Sequence, residues 1–290
     1  FVHFMERALY DTDRGYYMKP LPIELRERDY FTSSDVSEVF GQCLARQFAE
    51  IWRILGKPDN FHIIELGAGR GLLCQDVYNS LKSESPDCIS QTNYIVVEKS
   101  TGRWNNQQQG SDPKNSTNQN CITKLDDIAN LPSDITGVVY SNEFFDALPI
   151  HRVCPFGDNL LEVYVRVRNG EFYEELGEPS TQELQAYFDR LKITFAEGEK
   201  DGRTEVNLQA VEAMKIIGRK LSCGLVLTFD YGYPANELFT PKRIAGGGTL
   251  MCYNRHKAHA NPYIHVGEQD ITTHVDFSSL ALAGMEVNMH

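Results

Sequence analysis

The sequence predicts an α/β fold with a doubly wound parallel sheet, an N-terminal helical lead-in and an α+β insertion. Short apolar runs rich in β-branched residues recur from residue 61 onward and alternate with stretches of helical periodicity. One segment of strict apolar and polar alternation interrupts them. With 290 residues, 41% of them hydrophobic, the chain can bury a sizeable core.

Residues 1–55 form the predicted N-terminal helical segment, which we place on the substrate side. The stretch "FMERALYDTDRGYY" has apolar residues at helical spacing. The later stretch "RDYFTSSDVSEVFGQCLARQFAEIW" combines residues typical of helix N-caps with an amphipathic pattern, which predicts a loop followed by a helix.

The sheet is predicted to come from two parts of the chain, residues 56–153 and 216–290. The first part contains "FHIIEL", "NYIVVEK" and "TGVVYSNEFF", and the second contains "GLVLTFDYGY". Each run is short, apolar and β-branched, as expected of parallel strands that are buried on both faces.

Residues 154–215 are predicted to be a hairpin and helical insertion. The stretch "LLEVYVRVRNGEFYEEL" alternates apolar and polar residues around the turn signal "RNGE", which predicts a β-hairpin. The acidic remainder is expected to be helical, and it is a candidate surface for docking a basic client or for forming a homodimer. The polar stretch 105–120 predicts a long surface loop, because it has few apolar residues to offset the entropy of ordering.

Composition excludes several classes of function. The net charge of −12 argues against general nucleic-acid binding, which depends on clustered Lys and Arg. The 7 Cys are dispersed and lack C-x-x-C spacing, so we expect reduced thiols in a cytosol-like compartment. No apolar run approaches the roughly 18 residues that span a bilayer, so no membrane insertion is expected.

The histidines do not predict a metal site. His256 and His259 are three residues apart, and His265 and His274 follow, but no acid or Cys joins them at a recognised ligand spacing. The chain starts without Met and ends in mid-pattern at "LALAGMEVNMH", so we expect both ends to be trimmed and a targeting region to be missing.

A glycine-rich turn follows the first predicted strand. The pattern G-A-G-R-G, residues 67–71, lies where backbone N–H groups and the positive end of a helix dipole can face a ligand. A dinucleotide fingerprint requires G-x-G-x-x-G, but Leu72 occupies the position of its last glycine. The spacing therefore disfavours NAD.

Two acids complete the pattern. Glu65 precedes the glycine turn, and Glu98 closes the next apolar strand, where its two oxygens can accept both ribose hydroxyls. This arrangement resembles the S-adenosylmethionine site of a class I methyltransferase with a Rossmann-like sheet. The resemblance implies that Glu65 holds the methionine end, that Glu98 takes the ribose and that Asp127 reads the adenine. The loop residues that would approach the cofactor are Gly67, Ala68, Gly69 and Gly71.

Four further segments narrow the resemblance to one family. The segments "FMERALYDTDRGYY", "DYFTSSDVSEVFG", "SNEFFDALPIHR" and "DITTHVDFSSL" resemble the MidA-like family, whose mitochondrial members are arginine methyltransferases that assist assembly of respiratory complex I. The resemblance implies a type II activity that forms symmetric dimethylarginine on a complex I-type subunit. It also implies that Thr32 and Ser33 contact the cofactor and that His274 lines the substrate pocket. The stretch "MKPLPIELRERDYF" departs from the family pattern, because it lacks a glycine-rich turn before the aspartate.

The motif "NEFFDALP" follows the third predicted strand at its carboxyl end, where open α/β sheets bind ligands. A guanidinium is a poor nucleophile, because its charge is delocalised over three nitrogens. Carboxylates can localise that charge through paired hydrogen bonds. Glu143 and Asp146 are therefore the candidate catalytic residues, with Asn142 orienting the substrate. The candidate substrate contacts are Phe144, Phe145, Asp230 and Tyr231, together with His274.

Each of these residues also has a structural interpretation. Phe144 and Phe145 can belong to the core, Asp146 can cap a helix, and Thr32 and Ser33 can cap the helix predicted near Asp35. Two other functions stay open: methylation of a small molecule or another protein side chain, and a non-catalytic, cofactor-binding assembly chaperone. The expected location is the cytoplasm if the protein is bacterial and the mitochondrial matrix if it is eukaryotic.

Overall fold

The computed structural model describes residues 1–19, 38–100, 104, 122–156, 159–195 and 202–290. The chain forms two compact units. We call Tyr17–Phe144 with Ile216–Phe229 the sheet unit, and Phe1–Tyr16, Phe145–Lys215 and Asp230–His290 the mixed unit. Along the chain, the units divide between Lys215 and Ile216 and again between Phe229 and Asp230. Residues 230–290 cluster with residues 145–215 in the mixed unit.

The helices are α1 (Val2–Tyr10), α2 (Val39–Ile54), α3 (Leu72–Glu84), α4 (Pro86–Ser90), α5 (Glu183–Leu191), α6 (Leu208–Lys220), α7 (Ala235–Leu238), α8 (Pro241–Ala245) and α9 (Phe277–Met285). The strands are β1 (Phe61–Leu66), β2 (Thr92–Val97), β3 (Ile122–Leu125), β4 (Ile135–Asn142), β5 (His151–Phe156), β6 (Asn159–Arg168), β7 (Glu171–Gly177), β8 (Thr204–Val206), β9 (Leu221–Phe229), β10 (Gly232–Tyr233), β11 (Met251–Asn254), β12 (Lys257–His259), β13 (Asp270–Thr272) and β14 (Val275–Asp276). In the part of the chain that the structure describes, no helix has the length and apolar character needed to cross a membrane.

The sheet unit contains a five-stranded parallel sheet in the order β3-β2-β1-β4-β9. The predicted doubly wound α/β fold is thereby confirmed, and the four predicted runs are strands β1, β2, β4 and β9. Strand β3 was missed, because its four residues "ITKL" are too few to show a clear period.

One expectation about the sheet is wrong. Strand β9 was predicted to be buried on both faces, but the exposed fractions of Leu225 and Phe229 are 47% and 37%. Among the described strands β9 pairs only with β4, so it lies at an edge of the sheet. An edge strand has fewer neighbours to cover its side chains than a central strand has.

Two apolar clusters cover the two faces of this sheet. One joins Phe48 of α2 and Val77 of α3 to Ile63, and the other joins Ile217 of α6 to Ile64. Successive residues of a strand point to opposite faces, so β1 contributes to both clusters and all six of its residues are buried. Strand β1 is therefore held firmly enough to position the loop that follows it.

The mixed unit contains the antiparallel sheet β7-β6-β5-β8. The predicted hairpin is confirmed: Asn169 and Gly170 lie between β6 and β7 with φ values of 55° and 83°. Two positive φ values in a two-residue loop suit the right-handed twist of the flanking strands. Helix α5 supplies part of the expected helical insertion, and β8 then returns the chain to the sheet. The predicted loop at 105–120 lies outside the described residues.

Candidate functional site

The loop from β1 to α3 contains three glycines in left-handed backbone conformations. The φ values are 69° at Gly67, 53° at Gly69 and 75° at Gly71, which is the N-cap of α3. An L-residue in this conformation costs about 1–2 kcal/mol. The glycine spacing is therefore required by the turn itself, before any ligand is considered.

The surroundings of the three glycines differ. A Cβ atom on Gly67 would lie 2.8 Å from Cδ2 of Phe144, and one on Gly71 would lie 2.7 Å from Cζ3 of Trp104. A Cβ atom on Gly69 would have no neighbour within 4 Å among the described residues. Two glycines thus make room for aromatic rings of the protein, and the third presents bare backbone to open space, as a ligand cradle requires.

Glu98 follows β2 and is tied to this loop. The backbone N–H of Gly69 donates to Oε2 of Glu98 at 2.7 Å, and the N–H of Ser100 donates to Oε1 at 2.7 Å. Hydrogen bonds to an ionised acceptor are stronger than neutral ones. The structure thus places this predicted ribose ligand in contact with the glycine loop.

Glu65 lies on the face of β1 that packs against α2 and α3, and only 3% of its surface is exposed. The hydroxyl of Tyr140 donates to its Oε2 at 2.5 Å. Burial raises the pKa of Glu65 to about 8, the hydrogen bond from Tyr140 opposes this rise, and repulsion from Glu98 and Asp76 adds to it. At neutral pH the carboxyl group is therefore mostly protonated.

Strand β4 ends at Asn142, and the next residue has an unusual backbone. Glu143 has a φ of 50°, and its N–H donates to the carbonyl of Phe229 at 2.8 Å. A residue other than glycine in this region is strained, and such strain is concentrated at functional sites. Asn142, Glu143 and Phe144 are all partly exposed at the carboxyl end of β4.

Asp230 follows β9 in the chain and binds the loop that follows β4. Its Oδ2 accepts the backbone N–H of Phe145 at 3.0 Å and that of Asp146 at 3.4 Å, while its Oδ1 accepts the N–H of Tyr231 at 2.9 Å. Asp230 was predicted as a substrate contact, and the structure shows it as an acceptor for main-chain groups of the candidate catalytic motif. Tyr231 is 63% exposed.

Phe145 was predicted to wall a substrate slot, but its side chain is fully buried. Its N–H is held by Asp230, and its carbonyl accepts from Nδ2 of Asn207 at 3.1 Å. Because none of its surface is exposed, the ring packs in the core, and we correct its assignment to a packing residue. Asp146 is also largely buried, and its carbonyl accepts the N–H of Thr273.

His274 lies in the mixed unit beside Tyr233, with ring centroids 5.3 Å apart. Its backbone N–H donates to Oγ1 of Thr249 at 3.0 Å. Burial, followed by the nearby charge of Arg243, lowers the pKa of its imidazole, so the ring is neutral at physiological pH. A neutral imidazole fits the predicted role in a pocket wall.

Of the remaining residues predicted to contact the cofactor, the structure describes one, Asp127. Asp127 is exposed after β3, and its side chain accepts the N–H of Ala129 to cap a short 3-10 helix. Thr32 and Ser33, predicted to contact the cofactor, lie outside the described residues, as does Asp35. Within the described ranges, no group of three or more His, Cys, Asp or Glu side chains is placed to hold a metal ion.

Sequence reasoning missed the tyrosines around Glu65. Tyr140 is paired with Glu65 across β4 and β1, and the hydroxyls of Tyr94 and Tyr140 are 2.6 Å apart. The available signal was the alternation of side chains along β2 and β4, but it becomes informative only when the register between strands is known.

The parallel strand order, the glycine loop after β1 and the acid after β2 together define a class I S-adenosylmethionine-dependent methyltransferase. A family model described as "Putative S-adenosyl-L-methionine-dependent methyltransferase" matches residues 43–290. The chain belongs to this family, and its cofactor is S-adenosylmethionine. The open backbone at Gly69 and the Glu98 carboxylate beside it fit that cofactor.

Named relatives agree with this assignment. The chain is 25% identical, over 314 residues, to the Drosophila melanogaster protein arginine methyltransferase NDUFAF7 homolog, mitochondrial, with 100% of this chain and 67% of the relative covered. It is 24% identical to the human protein arginine methyltransferase NDUFAF7, mitochondrial, with 96% of this chain and 64% of the relative covered. It therefore spans about two thirds of the length of these relatives.

A solved structure shows the same fold. The crystal structure of a Burkholderia thailandensis protein bound to S-adenosyl-homocysteine superposes with a TM-score of 0.82 at 28% identity, covering 99% of this chain and 72% of that chain. A native crystal structure of a protein from the same organism superposes with a TM-score of 0.82 at 29% identity, covering 99% of this chain and 71% of that chain.

Proposed function

We propose that this chain is a protein arginine N-methyltransferase that forms symmetric dimethylarginine. Relatives at 24–25% identity are named protein arginine methyltransferases. The observation that carries the proposal is Glu143, a carboxylate held in a strained left-handed conformation directly at the carboxyl end of β4. Strain of this kind persists only where surrounding structure enforces it, and here it holds a partly exposed carboxylate at the edge of the sheet where open α/β folds bind ligands.

The cofactor supplies an electrophilic methyl group on a sulfonium. We assign its methionine end to the glycine loop and Glu65, and its ribose to Glu98. A carboxylate has about four acceptor positions, so Glu98 can accept the N–H groups of Gly69 and Ser100 and the ribose hydroxyl protons together. Asp127 is assigned to the adenine, and Thr32 and Ser33 to further cofactor contacts.

Transfer to arginine requires a nitrogen that can attack in line with the methyl group. Glu143 and Asp146 would bind the guanidinium and draw its positive charge toward the nitrogens that they contact, which leaves the remaining nitrogen more nucleophilic. Asn142 would orient the guanidinium, and Phe144 would stack against its plane. Asp230 would act by holding the main chain of the motif, while Tyr231 and His274 would contact the substrate.

The protein substrate would carry an arginine in a basic segment, because the chain has a net charge of −12 and attracts cationic partners. We propose a complex I-type subunit as that substrate and the mitochondrial matrix as its location, since the relatives are named mitochondrial. A homodimer formed through the insertion is part of the same proposal.

The test is methyl transfer from labelled S-adenosylmethionine to arginine peptides, with mass spectrometry to locate the methyl groups. Matched lysine peptides and small guanidines serve as competing substrates. Glu143→Gln should abolish transfer and leave S-adenosyl-homocysteine binding intact. Methylation of lysine but not arginine would contradict the proposal, and so would client binding without turnover, which is the behaviour of an assembly chaperone.

A further inference from the structure

A buried chain of hydroxyl and carboxyl groups lies beneath the glycine loop. Tyr94 of β2 contacts Tyr140 of β4 at 2.6 Å between hydroxyl oxygens, and Tyr140 contacts Oε2 of Glu65 at 2.5 Å. All three side chains point to the same face of the sheet, and each is at most 3% exposed. The cluster lies entirely within the sheet unit.

Among the residues that the structure describes, the charged and titratable groups that face Glu65 include no cation. Cys74 and Asp76 face it from α3, Glu98 faces it from the end of β2, and Tyr94 and Tyr140 face it from the neighbouring strands. Helix α2 contributes an apolar contact through Phe48 to the ring of Tyr140. A buried carboxylate without a positive partner is costly, so the neutral form is favoured until a cation arrives.

The hydroxyl pair can satisfy either form of the carboxyl group. When Glu65 is ionised, Tyr140 donates to it and Tyr94 donates to Tyr140. When Glu65 is protonated, it can donate to Tyr140, which in turn donates to Tyr94, because a hydroxyl both donates and accepts. No rearrangement of the backbone is needed, because only the hydroxyl protons of Tyr140 and Tyr94 change direction.

We propose that Tyr140, supported by Tyr94, is a positioning residue that lets Glu65 exchange a proton, so that cofactor binding at the glycine loop releases a proton from Glu65 to solvent. This inference rests on the cofactor binding of the proposed function and not on the identity of the methylated atom. Bound as proposed, the methionine end of S-adenosylmethionine would bring an ammonium and a sulfonium toward the carboxyl of Glu65, and a nearby positive charge favours the ionised form. S-adenosyl-homocysteine lacks the sulfonium charge and should release a smaller fraction of the proton.

The test is calorimetric titration of the purified chain with each of these two compounds from pH 6 to pH 9, in buffers of different ionisation enthalpy. The buffer dependence reports the protons exchanged, and no methyl acceptor is needed. For the wild-type chain we expect a release approaching about one proton per site near pH 7 with S-adenosylmethionine. Glu65→Gln should release none and should bind with an affinity that varies little with pH.

Tyr140→Phe should bind more weakly at pH 7 and recover wild-type affinity at higher pH, because the lost hydrogen bond favoured the ionised carboxyl. Tyr94→Phe should shift the pH dependence of cofactor affinity in the same direction, but by a smaller amount. The matched control is Tyr187→Phe in the mixed unit, which removes a buried hydroxyl that donates to Oδ2 of Asp276 at 2.7 Å. It should lower thermal stability and leave the pH profile of cofactor binding unchanged.

Two results would overturn the inference while leaving the cofactor site in place. One is wild-type binding without proton exchange at any pH tested, and the other is a Tyr140→Phe defect of equal size at every pH, which indicates a structural role only. Absence of any S-adenosylmethionine binding by the folded wild-type chain would instead contradict the proposed function itself.

Discussion

The carboxylate of Asp230 accepts the backbone N–H of Phe145 at 3.0 Å, so the residue after β9 fixes the loop after β4. The same oxygen accepts the N–H of Asp146. Two distant parts of the sequence are joined here by main-chain hydrogen bonds to a single side chain, at the motif that we assign to catalysis.

Asp230→Ala should therefore impair methyl transfer more than cofactor binding. A hydrogen bond to a charged group contributes about 1.5–3 kcal/mol, so loss of both bonds should lower kcat by roughly tenfold or more while the Kd for S-adenosyl-homocysteine changes little. Asp230→Asn keeps an acceptor oxygen and should retain part of the activity. The measurement is steady-state kinetics combined with calorimetric titration.

The control for this prediction is Asp11→Ala. Asp11 also accepts two backbone N–H groups, from Asp13 and Arg14, but it does so in an exposed turn of the N-terminal segment. Its loss should leave kcat unchanged. Equal losses of kcat in the two variants would indicate a general effect on folding and would contradict the role of Asp230.

Glu143→Gly should stabilise the fold and abolish activity. Glycine adopts a φ of 50° without the steric cost that an L-residue pays, so the free energy of unfolding should rise by up to about 1 kcal/mol. Loss of the carboxylate should remove methyl transfer. Urea denaturation and a transfer assay on the same preparation measure both effects.

Lys192→Gly provides the comparison for Glu143→Gly. Lys192 has a φ of 56° at the C-cap of α5 and is exposed. The substitution should bring a similar gain in stability with full activity. Methyl transfer by the Glu143→Gly variant would contradict the catalytic assignment of Glu143.

Gly69→Ala should weaken cofactor binding well beyond its effect on stability. The new Cβ would point into space that is open among the described residues, where we place the cofactor, and the backbone strain costs about 1–2 kcal/mol. Gly170→Ala adds the same strain in the hairpin turn, again with no described neighbour within 4 Å. If the two variants have the same Tm and the same Kd for S-adenosyl-homocysteine, the glycine loop does not bind the cofactor.

Glu65 should make stability fall with rising pH. Its folded pKa of about 8 lies above its ordinary value of 4.5, so the folded chain binds the extra proton between these values and stability is lost as the pH rises through that window. Each pKa unit corresponds to about 1.4 kcal/mol, which sets an upper bound of roughly 5 kcal/mol on the total loss. Denaturation of the wild-type chain and of Glu65→Gln at pH 5, 7 and 9 tests this. A wild-type curve parallel to that of the variant would refute it.

Much of the sheet was predictable, because its determinants are local. Strands β1, β2 and β4 are apolar runs between helices. The left-handed turn at Gly67, Gly69 and Gly71 is predicted by residue type, because glycine adopts positive φ readily. The hairpin at Asn169 and Gly170 is predictable for the same reason. Local sequence failed for β3, which is short and carries no distinct period.

The sequence by itself determined the doubly wound fold, the glycine loop and the acid after β2, because backbone sterics and side-chain periodicity act over a few neighbouring residues. Only the tertiary structure decided that Asp230 holds the main chain at Phe145, that Phe145 is core, and that Tyr140 and Tyr94 hold Glu65. These relationships join residues far apart in the chain. They depend on strand order and register, which burial and hydrogen bonding determine together over the whole sheet.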